Sequence, residues 1–430
     1  MKRVWIIALG DFFAFWLSLY IILSIRIGDV WSSTLASSHV APFAILYASW
    51  ALIFFLFGLY DLFVIKPTIP HLRRFGLALL ISLLVGVILF YLFPIFGITP
   101  KTNLLLQAVL FGIFSFLLRR MFYVLYSKQI TRPTVLVGEK SHLDELYNAV
   151  KSNPQIGLDI VSYSQDLSES LKKYSDQKNG VFIIDTDSNK ISTEDFVNLY
   201  KNKNDIIDIA EAYERYLFKI PVGVISQSWI LENIKIKKDI MYSMSSRIIE
   251  IIFSILVLII SSPVVAVCAI LIYSEDRGPV FFKQDRVGMN GKVFKLFKLR
   301  SMRVHEAKKD EVWLSDSGSL ITRVGKAIRK THIDEIPQMI NILKGDIALI
   351  GPRPEWTELV KIFEQSIPNY GIRHIIRPGF TGWAQIKYRY SGSVEATQEK
   401  FEYDLYYIKN RNIFIDLGVF VRTVQIVFKR

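Results

Sequence analysis

The chain has 430 residues, 51% of them hydrophobic and 13% aromatic, and carries a formal net charge of +13. So much apolar content beside so much positive charge excludes an ordinary soluble domain and fits a membrane protein whose basic parts face anionic lipid or anionic substrates. No nucleic acid partner is expected, because no helix-turn-helix, RNP or zinc-finger pattern is present, and the single cysteine, Cys268, excludes an internal disulfide and a cysteine-based zinc site.

Four apolar stretches open the chain, roughly Val4 to Ile25, Pro42 to Tyr60, Phe75 to Phe96 and Leu104 to Tyr126. Each is near the ~20 residues that cross a hydrocarbon core. None has the short core and small-residue cleavage site of a signal peptide, so residues 1–130 read as a four-helix transmembrane bundle. Lys2, Arg3, Lys66, Arg73, Arg74, Arg119, Arg120, Lys128 and Arg132 fall on one side of these spans, with only Arg26 and Lys101 on the other. The positive-inside rule therefore places both ends of the bundle in the cytoplasm. Asp11, inside the first span, reads as a hydrogen-bonding group within or between helices.

Residues 131–232 change character. T-V-L-V-G (Thr134 to Gly138), G-L-D-I-V-S-Y and V-F-I-I-D read as strands and His142 to Lys151 as a helix, which predicts a small parallel, Rossmann-like cytoplasmic domain. The first strand is followed by a single glycine, Gly138, instead of G-x-G-x-x-G, so the reading is a scaffold or regulatory domain without a dinucleotide. A linker at 233–247, with Lys235, Lys237 and Lys238, leads to a fifth apolar run, Ile248 to Tyr273. Ser262 and Pro263 interrupt this run, and cations flank it on both sides. Two readings stand: a re-entrant helix-break-helix hairpin that enters and leaves one leaflet, and a kinked fifth transmembrane helix.

From Glu275 onward there are 27 Lys and Arg against 18 Asp and Glu. Within this basic region the adjacent carboxylates Asp334 and Glu335 lie between Arg323, Lys326, Arg329 and Lys330 and the turn Gly351 to Pro354, G-P-R-P. Arginine forks bind phosphate oxygens, whereas a carboxylate near phosphates either repels them or works through Mg2+, which takes one or two carboxylates plus substrate oxygens. The bland reading is a solvated helix face whose acids pair locally with Arg329 and Lys330. The last segment, Ile413 to Arg430, alternates apolar groups with Arg422, Lys429 and Arg430 as a surface-lying helix does, and Tyr403, Tyr406 and Tyr407 suit either a membrane interface or the core.

The runs G-P-V-F-F-K-Q-D-R-V-G, K-L-R-S-M, D-E-I-P-Q, L-I-G-P-R-P and R-P-G-F-T-G-W-A-Q follow one another between Gly278 and Gln385. In this order they resemble the bacterial sugar transferases, the polyprenyl-phosphate hexose-1-phosphate transferases that begin exopolysaccharide and O-antigen assembly. The preceding spans and Rossmann-like domain look like the long-form members. The resemblance implies a monotopic catalytic domain at 248–430 with the hairpin broken at Ser262 and Pro263. It implies transfer of hexose-1-phosphate from a UDP-sugar to undecaprenyl phosphate with release of UMP, using Mg2+, at the cytoplasmic face of the bacterial inner membrane, by a homodimer among membrane lipid. The alternative is a catalytically silent membrane-anchored regulator.

On the same resemblance Asp334 matches the nucleophilic aspartate; it is assigned as nucleophile and metal ligand, with Glu335 orienting groups or assisting Mg2+. Lys298, Arg300 and Arg353 are candidate phosphate ligands, and Arg377, Gln385 and Asp404 match polar positions of the nucleotide or sugar pocket. Two residues depart from the family pattern: His332, where Ser is usual, and Leu320, where Arg is common.

Overall fold

The computed structural model describes all residues except 1, 28–33, 62–64, 67, 93–100, 175, 186–190, 235–239, 304–320, 389–392 and 429–430, so Lys235, Lys237, Lys238, Leu320, Lys429 and Arg430 lie outside the described residues. The chain forms two compact units, Met1–Ala212 and Tyr213–Arg430.

The first unit opens with four long helices, α1 (Lys2–Ile27), α2 (Thr34–Leu56), α3 (Ile69–Leu92) and α4 (Lys101–Val124). All four are long and apolar enough to cross a membrane. They pack through an aromatic core that includes Phe15, Phe43, Trp50, Phe54, Phe90 and Phe111. Asp11 makes more than a hydrogen bond. Its two carboxylate oxygens take Nη1 and Nη2 of Arg119 at 2.7 and 2.8 Å, joining α1 to α4, and the guanidinium is covered by the rings of Phe54, Tyr60 and Phe75. Such a pair persists in an apolar interior because each charge is neutralised and bidentately hydrogen-bonded.

The expected parallel sheet follows: β1 (Arg132–Val137), α5 (Lys140–Lys151), β2 (Leu158–Ser164), α6 (Leu167–Tyr174), β3 (Val181–Ile184), α7 (Thr193–Lys201) and β4 (Asp205–Asp208), in strand order β2-β1-β3-β4. Adjacent pairs are parallel, and β3, with neighbours on both edges, is buried along its whole length. Gly138 closes β1 at φ +155°, where an added Cβ would meet the Asp185 side chain at 2.9 Å. That glycine serves the turn.

Helix α8 (Ile209–Tyr216) carries the chain into the second unit, where α9 (Gln227–Asn233) follows. The segment from Tyr213, assigned to the Rossmann-like domain by sequence, folds on the C-terminal part instead. Ile220 N–H donates to Glu402 O at 3.0 Å, Trp383 Nε1 donates to Phe218 O at 3.0 Å, and Lys219 is buried between Glu399 and Glu402.

Next come α10 (Ile240–Asp276), β5 (Phe281–Val287), β6 (Val293–Leu299), α11 (Arg323–Lys330), α12 (Gln338–Lys344), β7 (Ala348–Ile350), α13 (Thr357–Ser366), β8 (Gly379–Thr381), α14 (Trp383–Lys387), α15 (Val394–Asn410) and α16 (Ile413–Phe428). Helix α10 runs unbroken through Ser262 and Pro263, where the sequence predicts a break. Its two flanks nevertheless pack on one body: Phe253, Val257 and Leu258 join the core of Met339, Ile342 and Leu349, while Cys268 and Ile272 join Leu299 and Ile328. Between them Ile259 and Ile260 are 65% and 73% exposed, and Ser262 and Pro263 are exposed as well. Tyr403, Tyr406 and Tyr407 pack in or against the core, which decides their role.

Candidate active site

The carboxylate pair is set up by a backbone turn. Helix α11 ends at Lys330, and His332 takes a left-handed conformation, φ 58°, that swings the chain into a short 3-10 turn, Ile333–Glu335. Histidine is among the residues that tolerate this region best, so His332 has a conformational role here. In a 3-10 turn successive side chains diverge by about 120°, which separates the environments of Asp334 and Glu335.

Glu335 is fully engaged. Its Oε1 accepts from Lys298 Nζ at 2.9 Å and from Arg353 Nη2 at 3.1 Å. Burial alone would raise this carboxyl, but the paired Arg353 and Lys298 cations outweigh it and hold the pKa down at about 2. Asp334, 7% exposed, forms no ion pair and accepts no side-chain hydrogen bond among the described residues. Burial and the Glu335 charge raise its pKa, against Lys298, Arg329 and His332. One carboxylate is thus a fixed counter-ion and its neighbour a free, desolvated one.

Lys298 reaches the turn from β6, which is fixed to α12 by Asn341. That side chain is buried, receives Phe297 N–H at 3.0 Å and donates to Lys295 O at 2.8 Å and Asp346 at 2.9 Å. Arg353 comes from the G-P-R-P turn, whose backbone is held on both sides: Arg373 donates to Arg353 O at 3.0 Å and Arg286 to Pro354 O at 2.9 Å. Gly351 N–H donates to Thr381 O at 2.9 Å and Gly379 N–H to Pro352 O at 2.8 Å, so the turn lies flat against P-G-F-T-G. A Cβ on Gly379 would stand 2.1 Å from Gly351 N, and only glycine permits that approach.

The remaining predicted site residues divide. Asp404, buried in α15, pairs with Arg373 at 3.0 Å and lines a small cavity with Arg353, Gln385 and Lys400, where the Gln385 Oε1 is buried without a partner. Burial, aided by Glu355 and opposed by Arg373, raises the Asp404 carboxyl to about 6. Arg300 is not brought to Asp334; its guanidinium is buried against Asp276 and the Ile272 carbonyl, closing the end of α10. Arg377 pairs with Glu250 of α10 at 3.0 Å, beside Arg247. Arg373 and Glu250 carry no sequence signal, and the K-Q-D-R-V-G run that holds Arg286 does not disclose its role, because these roles arise from burial against main-chain carbonyls or charges distant in the chain.

Among the described residues no group of three or more His, Cys, Asp or Glu is placed to hold a metal by itself. A free Asp334 beside a cation-bound Glu335 fits a Mg2+ ion held by one carboxylate and completed by substrate phosphates and water, since magnesium keeps few protein ligands.

Residues 241–430 match the model of the family described as "Bacterial sugar transferase". A UDP-glucose:undecaprenyl-phosphate glucose-1-phosphate transferase of Caulobacter vibrioides is 34% identical over 180 residues, 41% of this chain and 67% of that protein. The chain belongs to the bacterial sugar transferase family. Among other members, a UDP-N-acetylgalactosamine-undecaprenyl-phosphate N-acetylgalactosaminephosphotransferase of Aeromonas hydrophila is 40% identical over 186 residues, 43% of this chain and 44% of its own length. A UDP-glucose:undecaprenyl-phosphate glucose-1-phosphate transferase of Xanthomonas campestris is 26% identical over 320 residues, 67% of this chain and 65% of that protein, so this likeness extends beyond the family domain. The chain spans under half the length of the Aeromonas relative.

Proposed function

We propose that this bacterial sugar transferase moves a hexose-1-phosphate from a UDP-sugar to undecaprenyl phosphate and releases UMP. One observation carries the reading: Asp334 is desolvated and unpaired while Glu335 consumes Lys298 and Arg353 as an adjacent fixed ion pair. An Asp334 carboxylate oxygen attacks the phosphorus that bears the sugar, the bond from that phosphorus to the UMP oxygen breaks, and UMP leaves. The lipid phosphate oxygen then attacks the same phosphorus, the aspartyl-oxygen bond breaks, and the carboxylate is regenerated. Splitting one displacement between anions into two is the advantage of such covalent catalysis. Lys298 and Arg329 are cations whose charge acts on Asp334, and Arg353 stands on the neighbouring Glu335, so positive charge lies close to the attacking carboxylate. When bound at Asp334, Mg2+ supplies charge neutralisation to the diphosphate.

The membrane arrangement follows from the same residues. The first four apolar helices are the transmembrane bundle, with their basic ends cytoplasmic. In α10 both flanks pack on one folded body while the Ser262-Pro263 region stands clear, which supports a re-entrant element that enters and leaves one leaflet and keeps Asp334 at the cytoplasmic headgroup level. The working form in this reading is a homodimer.

The test uses the purified full chain with Mg2+, undecaprenyl phosphate and a panel of UDP-sugars, following UMP and lipid-linked sugar. Multiple-turnover UMP release that requires lipid and stops with a chelator is the expected result. Lipid-independent release continuing beyond one UMP per chain would indicate hydrolysis, and silence with every sugar would indicate the regulator.

A further inference from the structure

The second unit contains a cavity of about 790 Å³ that the transferase chemistry leaves unused. It lies between the first turns of α10, strand β7 and helix α16, walled by Ile249, Phe253, Ile350, Ile376, Leu417 and Phe420. That volume falls in the ~300–1,000 Å³ of ligand sites that bury a small molecule, and the walls are mainly apolar.

The polar groups on its border are unequal. Glu250 is neutralised by Arg247 and Arg377, and Asp416 accepts from the Tyr242 and Tyr407 hydroxyls at 2.6 and 2.7 Å. Arg411, at the junction of α15 and α16, also lines the cavity and forms no ion pair among the described residues; its guanidinium lies 5.9 Å from the Tyr242 ring. The charge of Arg411 is felt by Asp416, but that carboxylate is already held by two tyrosine hydroxyls and makes no direct ion pair with it, so an apolar chamber with this guanidinium on its border complements an amphiphile with an apolar chain and a phosphate head.

The surrounding surface indicates where that amphiphile comes from. Met241, Met244, Ile248 and Ile252 on α10 and Phe414 on α16 are more than half exposed, and α10 is long and apolar enough for a membrane. A contiguous apolar surface of this kind is stable against lipid and costly in water. None of Asp334, Glu335, Lys298 or Arg353 lines the cavity. Its occupant is therefore held apart from the reacting centre.

We propose that this cavity is a binding site for an anionic bilayer phospholipid, with an acyl chain between α10 and α16 and the phosphate on Arg411. The lipid joins the membrane helix to the C-terminal helix as a resident component. The proposal rests on the membrane reading of α10 and not on the transfer reaction.

The experiment takes the full chain from nanodiscs of phosphatidylcholine containing phosphatidylglycerol into native mass spectrometry. Retention of one phosphatidylglycerol per chain is expected. Arg411→Gln, which removes the cation, and Leu417→Trp, which fills the chamber, each reduce retention about tenfold or more while the melting temperature in detergent stays near wild type. Absence of retained lipid, equal retention by both variants, retention of polyprenyl phosphate in its place, or a second copy of the chain occupying this face would each overturn the proposal. Because no sugar donor is present, a failure here is distinct from a failure of the transferase reading.

Discussion

Arg373 holds the main chain of Arg353. Its guanidinium donates to the Arg353 carbonyl at 3.0 Å and to the Asp404 carboxylate at 3.0 Å, so the turn that delivers a cation to Glu335 is tied to the buried face of α15. Removing Arg373 leaves Asp404 buried without its counter-charge, a loss of about 3–5 kcal/mol. Arg373→Met should therefore lower the melting temperature sharply in detergent, and the double variant Arg373→Met, Asp404→Leu should recover much of it. Additive losses in the double variant would show that the two side chains act separately.

Glu335 makes stability depend on acid. Its folded pKa is about 2 against an ordinary 4.5, so it contributes stability that is fully present above pH 4.5 and is lost as the pH falls toward 2. The full contribution is roughly 3 kcal/mol. Thermal unfolding from pH 6 to pH 3 should show a decline in wild type that Glu335→Gln flattens. An equally steep decline in the variant would assign the acid sensitivity to other carboxylates.

Gly325 is required by close approach. A Cβ there would lie 2.0 Å from the Ser301 carbonyl oxygen, which is backbone and has no room to move. Gly325→Ala should push α11 away from the K-L-R-S-M segment, costing about 1–3 kcal/mol and lowering turnover. Unchanged turnover and melting temperature would contradict the packing of α11 described above.

His332 supplies the left-handed residue of the turn that precedes Asp334. His332→Gly should keep most activity, whereas His332→Val, β-branched at φ 58°, should lose about 1–3 kcal/mol of stability. A pH-rate profile altered by the glycine variant would give the imidazole a chemical role instead.

Much of this architecture is legible in the residues. The apolar spans, the Rossmann-like alternation and the Asp334-Glu335 pair between cations all announce themselves by periodicity or local composition. What sequence does not disclose is which cation goes to which anion. Lys298 and Arg300 are two positions apart in one basic run, yet Lys298 reaches Glu335 while Arg300 turns to Asp276. Arg377 and Arg373 present the same difficulty, since Glu250 and Asp404 are distant in the chain. The continuity of α10 through Pro263 is another such case: proline weakens a helix locally, but the packed flanks on both sides fix the conformation of the whole.

The central claim is that the Asp334 carboxylate accepts the phosphosugar. Incubating the full chain with Mg2+ and a UDP-sugar carrying a labelled hexose, with no lipid acceptor, should release about one UMP per active site and leave the label covalently on Asp334 by peptide mass spectrometry, with Asp334→Asn releasing none and losing more than about 1,000-fold in turnover. A wild-type protein that turns over with lipid but never carries label, or an Asp334→Asn variant with near-normal turnover, would contradict it.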